Sequence, residues 1–134
     1  MQKSIIQDDR KVCFLCGRNG NGDPLECHHI FFGTPNRQHS DEDGLVVWLC
    51  GDRCHRNGKN AVHKDAFTNR YLKREAQNVW EREKRKKGMT PEEARKAFRD
   101  RYGKSEESCP FHPEKTVFLR IYYDLPLCYV RTSG

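Results

Sequence analysis

Two cysteine pairs, Cys13-x2-Cys16 and Cys50-x3-Cys54, constrain this chain more than any other feature of it. Thiolates two or three residues apart in a tight turn can reach one tetrahedral ion, and two such pairs close a four-ligand site. The pairs flank a stretch that reads as a hairpin, so a shared ion would tie the approach to the first strand to the end of the second. A closed site has no open position and is structural. A structural Zn²⁺ on Cys13, Cys16, Cys50 and Cys54 is expected, with folding dependent on it. The second pair has three intervening residues, so His55 stands as an alternative to Cys54. Cys27 alternates out of the face that carries its histidine neighbour and reads as a core cysteine. Cys109-x2-His112 is half a site and reads as a Pro-flanked turn.

Composition explains the need for a staple. At 134 residues the chain is expected to form one domain, and with 35% hydrophobic and 33% charged residues it has little apolar surface to bury. Residues 1–11 are polar and do not resemble a signal h-region. No run approaches the roughly 20 apolar residues of a membrane span. A cytoplasmic setting without a membrane partner is expected. Thiols stay reduced there, and paired cysteines read as metal ligands before disulfides. Lys and Arg outnumber Asp and Glu by 25 to 19, a net charge of +6, which favours a polyanionic partner, nucleic acid first.

Turn chemistry and periodicity place the elements. Residues 19–24, Asn-Gly-Asn-Gly-Asp-Pro, are a dense turn, and residues 25–32 read as a short strand. Residues 33–44 read as a polar loop. Residues 45–50, β-branched and aromatic, read as a second strand. Gly51 ends it, and Asp52 is expected to cap a short helix carrying Cys54 and His55. Residues 64–87 are helical in pattern, with Phe67, Tyr71, Leu72, Ala76, Val79 and Trp80 on one face. Lys84, Arg85, Lys86 and Lys87 close it against the helix dipole, and Gly88 stops it. Thr90-Pro91-Glu92-Glu93 predicts a second helix with a capping box, its apolar face being Ala94, Ala97, Phe98 and Tyr102. After residue 104 the pattern changes to short alternating stretches, a β-like tail. The fold class is α+β.

Histidines gather on the same hairpin. His28 and His29 are adjacent in the first strand, where successive side chains point to opposite faces. His55 lies just past the second strand and His63 just before the long helix. Each alone reads as a solvated or core histidine; four beside zinc-type cysteines read as a site.

His28-His29-Ile30, a strand ending in Cys50, and Cys54-His55 resemble the HNH, or His-Me finger, endonuclease motif, and more narrowly the small HNH proteins of bacteriophages. The resemblance covers about residues 1–104 and is strongest over 13–63. It implies a zinc-stapled ββα-metal core followed by two helices in residues 1–104, with residues 105–134 a tail of unknown role. It implies metal ligands at His28 and His55, with His63 a second candidate, and a water-activating base at His29. The family's middle asparagine, which orients the base, has no match in Ser40-Asp41-Glu42-Asp43-Gly44. Asp43 is the substitute chosen on sequence, while Asn36 and Asn57 lie further off. The resemblance also implies DNA as partner, a bacterial cytoplasmic or phage-encoded setting, and room for a homodimer or a phage protein partner.

The chemistry asked of these residues is coherent. Phosphodiester hydrolysis needs a proton acceptor for water, and imidazole, with an ordinary pKa of about 6.5, suits neutral pH. It also needs charge stabilisation, which one Mg²⁺, Mn²⁺, Ni²⁺ or Zn²⁺ would supply, imidazole ligands favouring the transition metals. Arg37, Arg53, Arg56, Lys59 and Lys64 surround the site and are expected to hold phosphates, with Lys73, Arg74 and the Lys84–Lys87 run extending the basic surface. The rival reading is a non-catalytic zinc module binding nucleic acid or protein. It explains the cysteines and the charge but leaves the four histidines without a role.

Overall fold

A two-stranded antiparallel sheet and three helices make up residues 3–103, which the computed structural model describes. The expected tail strands and Cys109-x2-His112 lie outside the described residues. Strand β1 is Leu25–His29 and β2 is Val46–Cys50, paired from Leu25↔Cys50 to His29↔Val46. The first strand is shorter than expected, though the bond from Ile30 N–H to Leu45 carbonyl (3.0 Å) continues the approach of the two chains.

The segment expected as a polar loop instead contains helix α1, Asn36–Asp43. None of its eight residues is apolar, so it has no stripe for periodicity to detect. Its stability comes from its ends and one buried hydroxyl. Ser40 Oγ donates to Phe31 carbonyl (2.7 Å) and accepts from Phe31 N–H (3.1 Å), fixing α1 to the end of β1. Gly44 closes the helix at φ 76°, and a Cβ there would also sit 2.5 Å from the Lys3 carbonyl oxygen.

After β2 the chain makes one π-helical turn, Gly51–Arg56. The short helix is present, but its cap is not Asp52. Asp23, from the turn before β1, accepts from Asp52 N–H and Arg53 N–H, both at 2.9 Å. Asp52 instead accepts from the Asn57 side chain (2.7 Å).

Helix α2 is Ala66–Lys86 and α3 is Pro91–Tyr102. The capping box at Thr90 and Glu93 forms as the sequence predicts, and Gly103 ends α3. Leu72, Ala76, Val79 and Trp80 of α2 are buried with Ala94, Phe98 and Tyr102 of α3. Phe67, expected on the apolar face, is 59% exposed in the first turn, ahead of the point where the helix reaches the core. The core joins Leu72, Ala76, Trp80, Phe98 and Tyr102 to Ile30, Phe31, Leu45, Val47 and Leu49. Phe31 packs on Phe98 and Tyr102, with ring centroids 5.4 and 4.8 Å away. Each fully buried side chain of this size contributes roughly 1.5–3 kcal/mol relative to exposure.

One carboxylate ties the three helices together. Asp43, at the end of α1, accepts from Trp80 Nε1 (2.9 Å), Tyr102 Oη (2.6 Å) and Arg101 Nε and Nη2 (2.6 and 2.9 Å). Burial pushes the Asp43 carboxyl up, but the bonds from Arg101, Tyr102 and Trp80 outweigh it and hold the group below the usual carboxylate value.

Candidate metal centres and hydrolytic site

The four cysteines expected to share an ion do meet. Sγ atoms of Cys13, Cys16, Cys50 and Cys54 all lie within 4.8 Å of one another, and all four are free thiols. Cys13 and Cys16 sit in a tight loop closed by Gly17 N–H to Cys13 carbonyl (2.8 Å), which Phe14 N–H to Trp48 carbonyl (2.8 Å) fastens to β2. Burial opposes ionisation of Cys16, Cys50 and Cys54. Backbone and neighbouring-thiol hydrogen bonds nevertheless bring Cys16 down to about 7. Cys50 is pushed up to about 11 by burial and by its thiol neighbours Cys16 and Cys13. One thiolate forms readily and the next resist it, a charge problem that a cation in their midst would solve.

Cys54 and His55 are consecutive in the π turn, yet they serve different clusters. Cys54 joins the thiols. His55 joins His28 and His63, whose ligand-capable nitrogens also lie within 4.8 Å of one another. Strand alternation turns His28 of β1 toward this cluster. His63 arrives because the chain doubles back after the π turn, with Val62 N–H bonding Cys54 carbonyl (2.8 Å) and His63 N–H bonding His55 carbonyl (3.1 Å). Gly58 permits the reversal: a Cβ there would lie 2.0 Å from the Arg53 carbonyl oxygen.

The cluster is tight and short of donors. His55 Nε2 and His63 Nε2 are 3.1 Å apart. His28 is 2% exposed, and its Nε2 is buried with no hydrogen-bond partner. Burial first, then the neighbouring His55 and His63, depress His28 to about 3, so it is a neutral imidazole at physiological pH. On the other side of His55, Nδ1 lies 2.8 Å from Glu26 Oε1, and the second oxygen of Glu26 takes a bond from Arg56 Nη2. A carboxylate there keeps the proton on Nδ1 and presents the Nε2 lone pair to the cluster. Glu26 shares the His28 face of β1, two residues away, so period-two reading of the strand contained this signal.

His29 faces the other way. Its Nε2 is 3.2 Å from Asp41 Oδ1. Asp43, chosen on sequence for this role, is not the residue beside His29; it is occupied by Trp80, Arg101 and Tyr102. Asn36 donates to Tyr102 carbonyl (3.2 Å) and Asn57 to Asp52, so neither alternative stands there. Nothing in the sequence marks Asp41 over Asp43, because the helix that presents it has no apolar stripe. Cys27 is half-buried and lies on the His29 side of β1.

Two adjoining clefts share His29, Cys27 and Arg37. One, of about 230 Å³, is also lined by His28, His55, His63 and Phe32. The other, of about 620 Å³, is also lined by Thr34, Pro35, Gln38 and Asp41. Among the basic residues expected to hold phosphates, Arg37 is on both walls and Arg56 is engaged with Glu26. Arg53, Lys59 and Lys64 are exposed and line neither cleft. Lys84 lies over the Trp80 ring, 4.9 Å from its centroid, and Lys86 pairs with Glu83.

Comparison with known protein families, curated proteins and solved structures finds no match to this chain. Among the described residues, no helix is long and apolar enough to cross a membrane.

Proposed function

We propose that this chain is a metal-dependent endonuclease of the HNH type that hydrolyses DNA phosphodiester bonds, with His29 as general base. The observation carrying this reading is the division of labour between neighbouring imidazoles. His28 converges with His55 and His63, while His29 opens to the adjoining cleft against a carboxylate. Two strands followed by a helical turn bearing His55 support reading the hairpin as a ββα-metal arrangement.

The residues fit a cation. Three neutral-capable imidazoles form the donor set, and His28 Nε2 is a buried lone pair with nothing to accept from. A divalent ion held by His28, His55 and His63 would act as Lewis acid toward a phosphate oxygen and the departing oxygen. Imidazole donors favour Mn²⁺, Ni²⁺ or Zn²⁺ beside Mg²⁺. The four-thiol cluster fits structural Zn²⁺: tetrahedral Zn–S bonds of about 2.3 Å imply S···S separations of about 3.8 Å, against 3.5 Å for Cys16 and Cys50.

The chain's own His29 takes the proton from the attacking water. With the proton held on Nε2 by Asp41, Nδ1 of His29 accepts a proton from water as its oxygen bonds to phosphorus. Asp41 stabilises the imidazolium that forms. The bond from phosphorus to the leaving oxygen breaks, and that oxygen takes up a proton from bulk water. Arg37, on the wall of both clefts, pairs with phosphate charge.

A cleavage assay on supercoiled plasmid and on single-stranded circular DNA, each with Mg²⁺, Mn²⁺, Ni²⁺ and Zn²⁺, tests the reading. Wild type should cleave at least one substrate with at least one metal, and His29→Ala should fall by about a hundredfold or more with DNA binding and melting unchanged. Wild-type rates in clean His29→Ala would overturn it. So would DNA binding without cleavage of either substrate in all four metals, which would make the protein a non-catalytic zinc module.

A further inference from the structure

Phe32 is 45% exposed at the mouth of the histidine cleft, directly after the buried Ile30 and Phe31. Its ring centroid lies 5.6 Å from that of His63 and 6.2 Å from that of His28, at steep tilts of 64° and 55°. Lys73 of α2 places its Nζ 5.0 Å from the Phe32 centroid. An aromatic surface, a cation beside it and Arg37 on the same cleft wall reproduce the elements that hold an unpaired nucleotide: a stacking platform for the base and positive charge for the flanking phosphates. In a duplex both faces of each base are covered by its neighbours, so a side-wall aromatic has nothing to stack on. An unpaired strand offers that face.

We propose that Phe32 is a base-stacking platform and that the strand entering the histidine cleft is single-stranded DNA. This rests on the nuclease reading for its placement, since it seats the stacked nucleotide next to the phosphate that His29 would face. It differs from that reading in naming the substrate class and the side chain that selects it. Neither the hydrophobic periodicity nor the motif spacing marks Phe32, which reads in sequence as the last residue of a buried strand.

The experiment separates the two claims by measuring binding without turnover. In full-length protein carrying His29→Ala, fluorescence anisotropy gives the affinity for a short oligo-dT strand and for a hairpin duplex. Adding Phe32→Ala should weaken the single strand about tenfold and the duplex less than about twofold. Phe32→Leu, which keeps apolar bulk without a π face, should behave like Phe32→Ala. Phe32→Trp should restore affinity and show emission quenching on binding beyond that of the parent. Equal losses on strand and duplex, no loss on either, or full rescue by Phe32→Leu would overturn the proposal. Selective loss on the single strand would stand even if wild type showed no nicking, so failure of the hydrolytic reading is distinguishable.

Discussion

Replacing Asp43 and Asp41 separately by asparagine distinguishes a residue that holds the fold from one that holds the base. Asparagine at 43 keeps the shape and one oxygen, but turns the other acceptor into a donor facing donors. Four bonds converge on this carboxylate, three of them on Oδ2. The Arg101 side chain is 32% exposed and partly recovers its loss from water, so its pair is discounted. Trp80 and Tyr102 are buried and both bond Oδ2. With the amide oxygen in that place both keep a partner, but a bond to a neutral acceptor is worth about 1 kcal/mol less than one to a carboxylate. The net loss is about 2 kcal/mol, and at about 4–8 °C per kcal/mol in a domain of this size the midpoint should fall by roughly 8–16 °C.

Asp41 should show the opposite profile. Its side chain is 49% exposed and its single contact is with His29. Asp41→Asn should therefore change stability by less than about 0.5 kcal/mol. The cleavage rate should fall about ten- to a hundredfold, because an amide neither fixes the imidazole tautomer nor stabilises the imidazolium as a carboxylate does. Thermal melts by circular dichroism in zinc-replete buffer, with nicking rates measured well below both midpoints, read out the two effects. An Asp43→Asn protein that melts like wild type would refute the stability argument. If Asp43→Asn were inactive while folded and Asp41→Asn fully active, the orienting role would move back to Asp43.

Cys50→Ser or Cys13→Ser should leave the chain unfolded at ambient temperature, checked by circular dichroism and by zinc content. Normal melting with one zinc per chain in both variants would refute the staple. Glu26→Gln should weaken Mn²⁺ or Ni²⁺ binding at the histidine cluster about ten- to a hundredfold while melting changes little, and calorimetric titration measures this directly. His28 should make stability fall in mild acid. Its folded pKa of about 3 lies below the ordinary 6.5, so the unfolded chain takes up the proton first, and stability present above 6.5 is lost as pH falls toward 3. From about pH 7 to about pH 5.5 this amounts to about 1 kcal/mol, and urea midpoints of His28→Gln should lack that component.

The parts of the fold readable in the sequence are those carrying a period or a stereotyped end. β2 is a continuous β-branched and aromatic run, α2 has an apolar stripe, and α3 begins with Thr90-Pro91 and a closing Glu93. The unread parts depend on contacts between distant segments. α1 has no apolar residue, and what secures it is the Ser40 hydroxyl on the Phe31 backbone. Because that helix was invisible, so was Asp41, the carboxylate that meets His29 from twelve residues away. The cap of the π turn belongs to Asp23, on the far side of the hairpin. The cysteines and histidines of the two clusters were legible because their spacing is chemical. Their assignment to two separate clusters was not, because it depends on which way consecutive residues of one turn point.

That turn couples the two clusters mechanically. Cys54 and His55 are neighbours in a six-residue stretch, and the same pair of backbone carbonyls that holds residues 62 and 63 fixes the approach of His63. Displacing Cys54 from its thiol partners rotates the turn, and the His55 ring must move with it. Asp23 and Pro24 restrain the turn from outside, through bonds to the N–H groups of residues 51–53. Glu26 restrains it from the strand, through His55 and Arg56. A chain with so little apolar surface cannot position three imidazoles by core packing alone. The thiol cluster is therefore best understood as the rigid element that gives the histidine cluster its geometry, and damage to the thiols should reach the three imidazoles through the Cys54–His55 peptide before it reaches the helices.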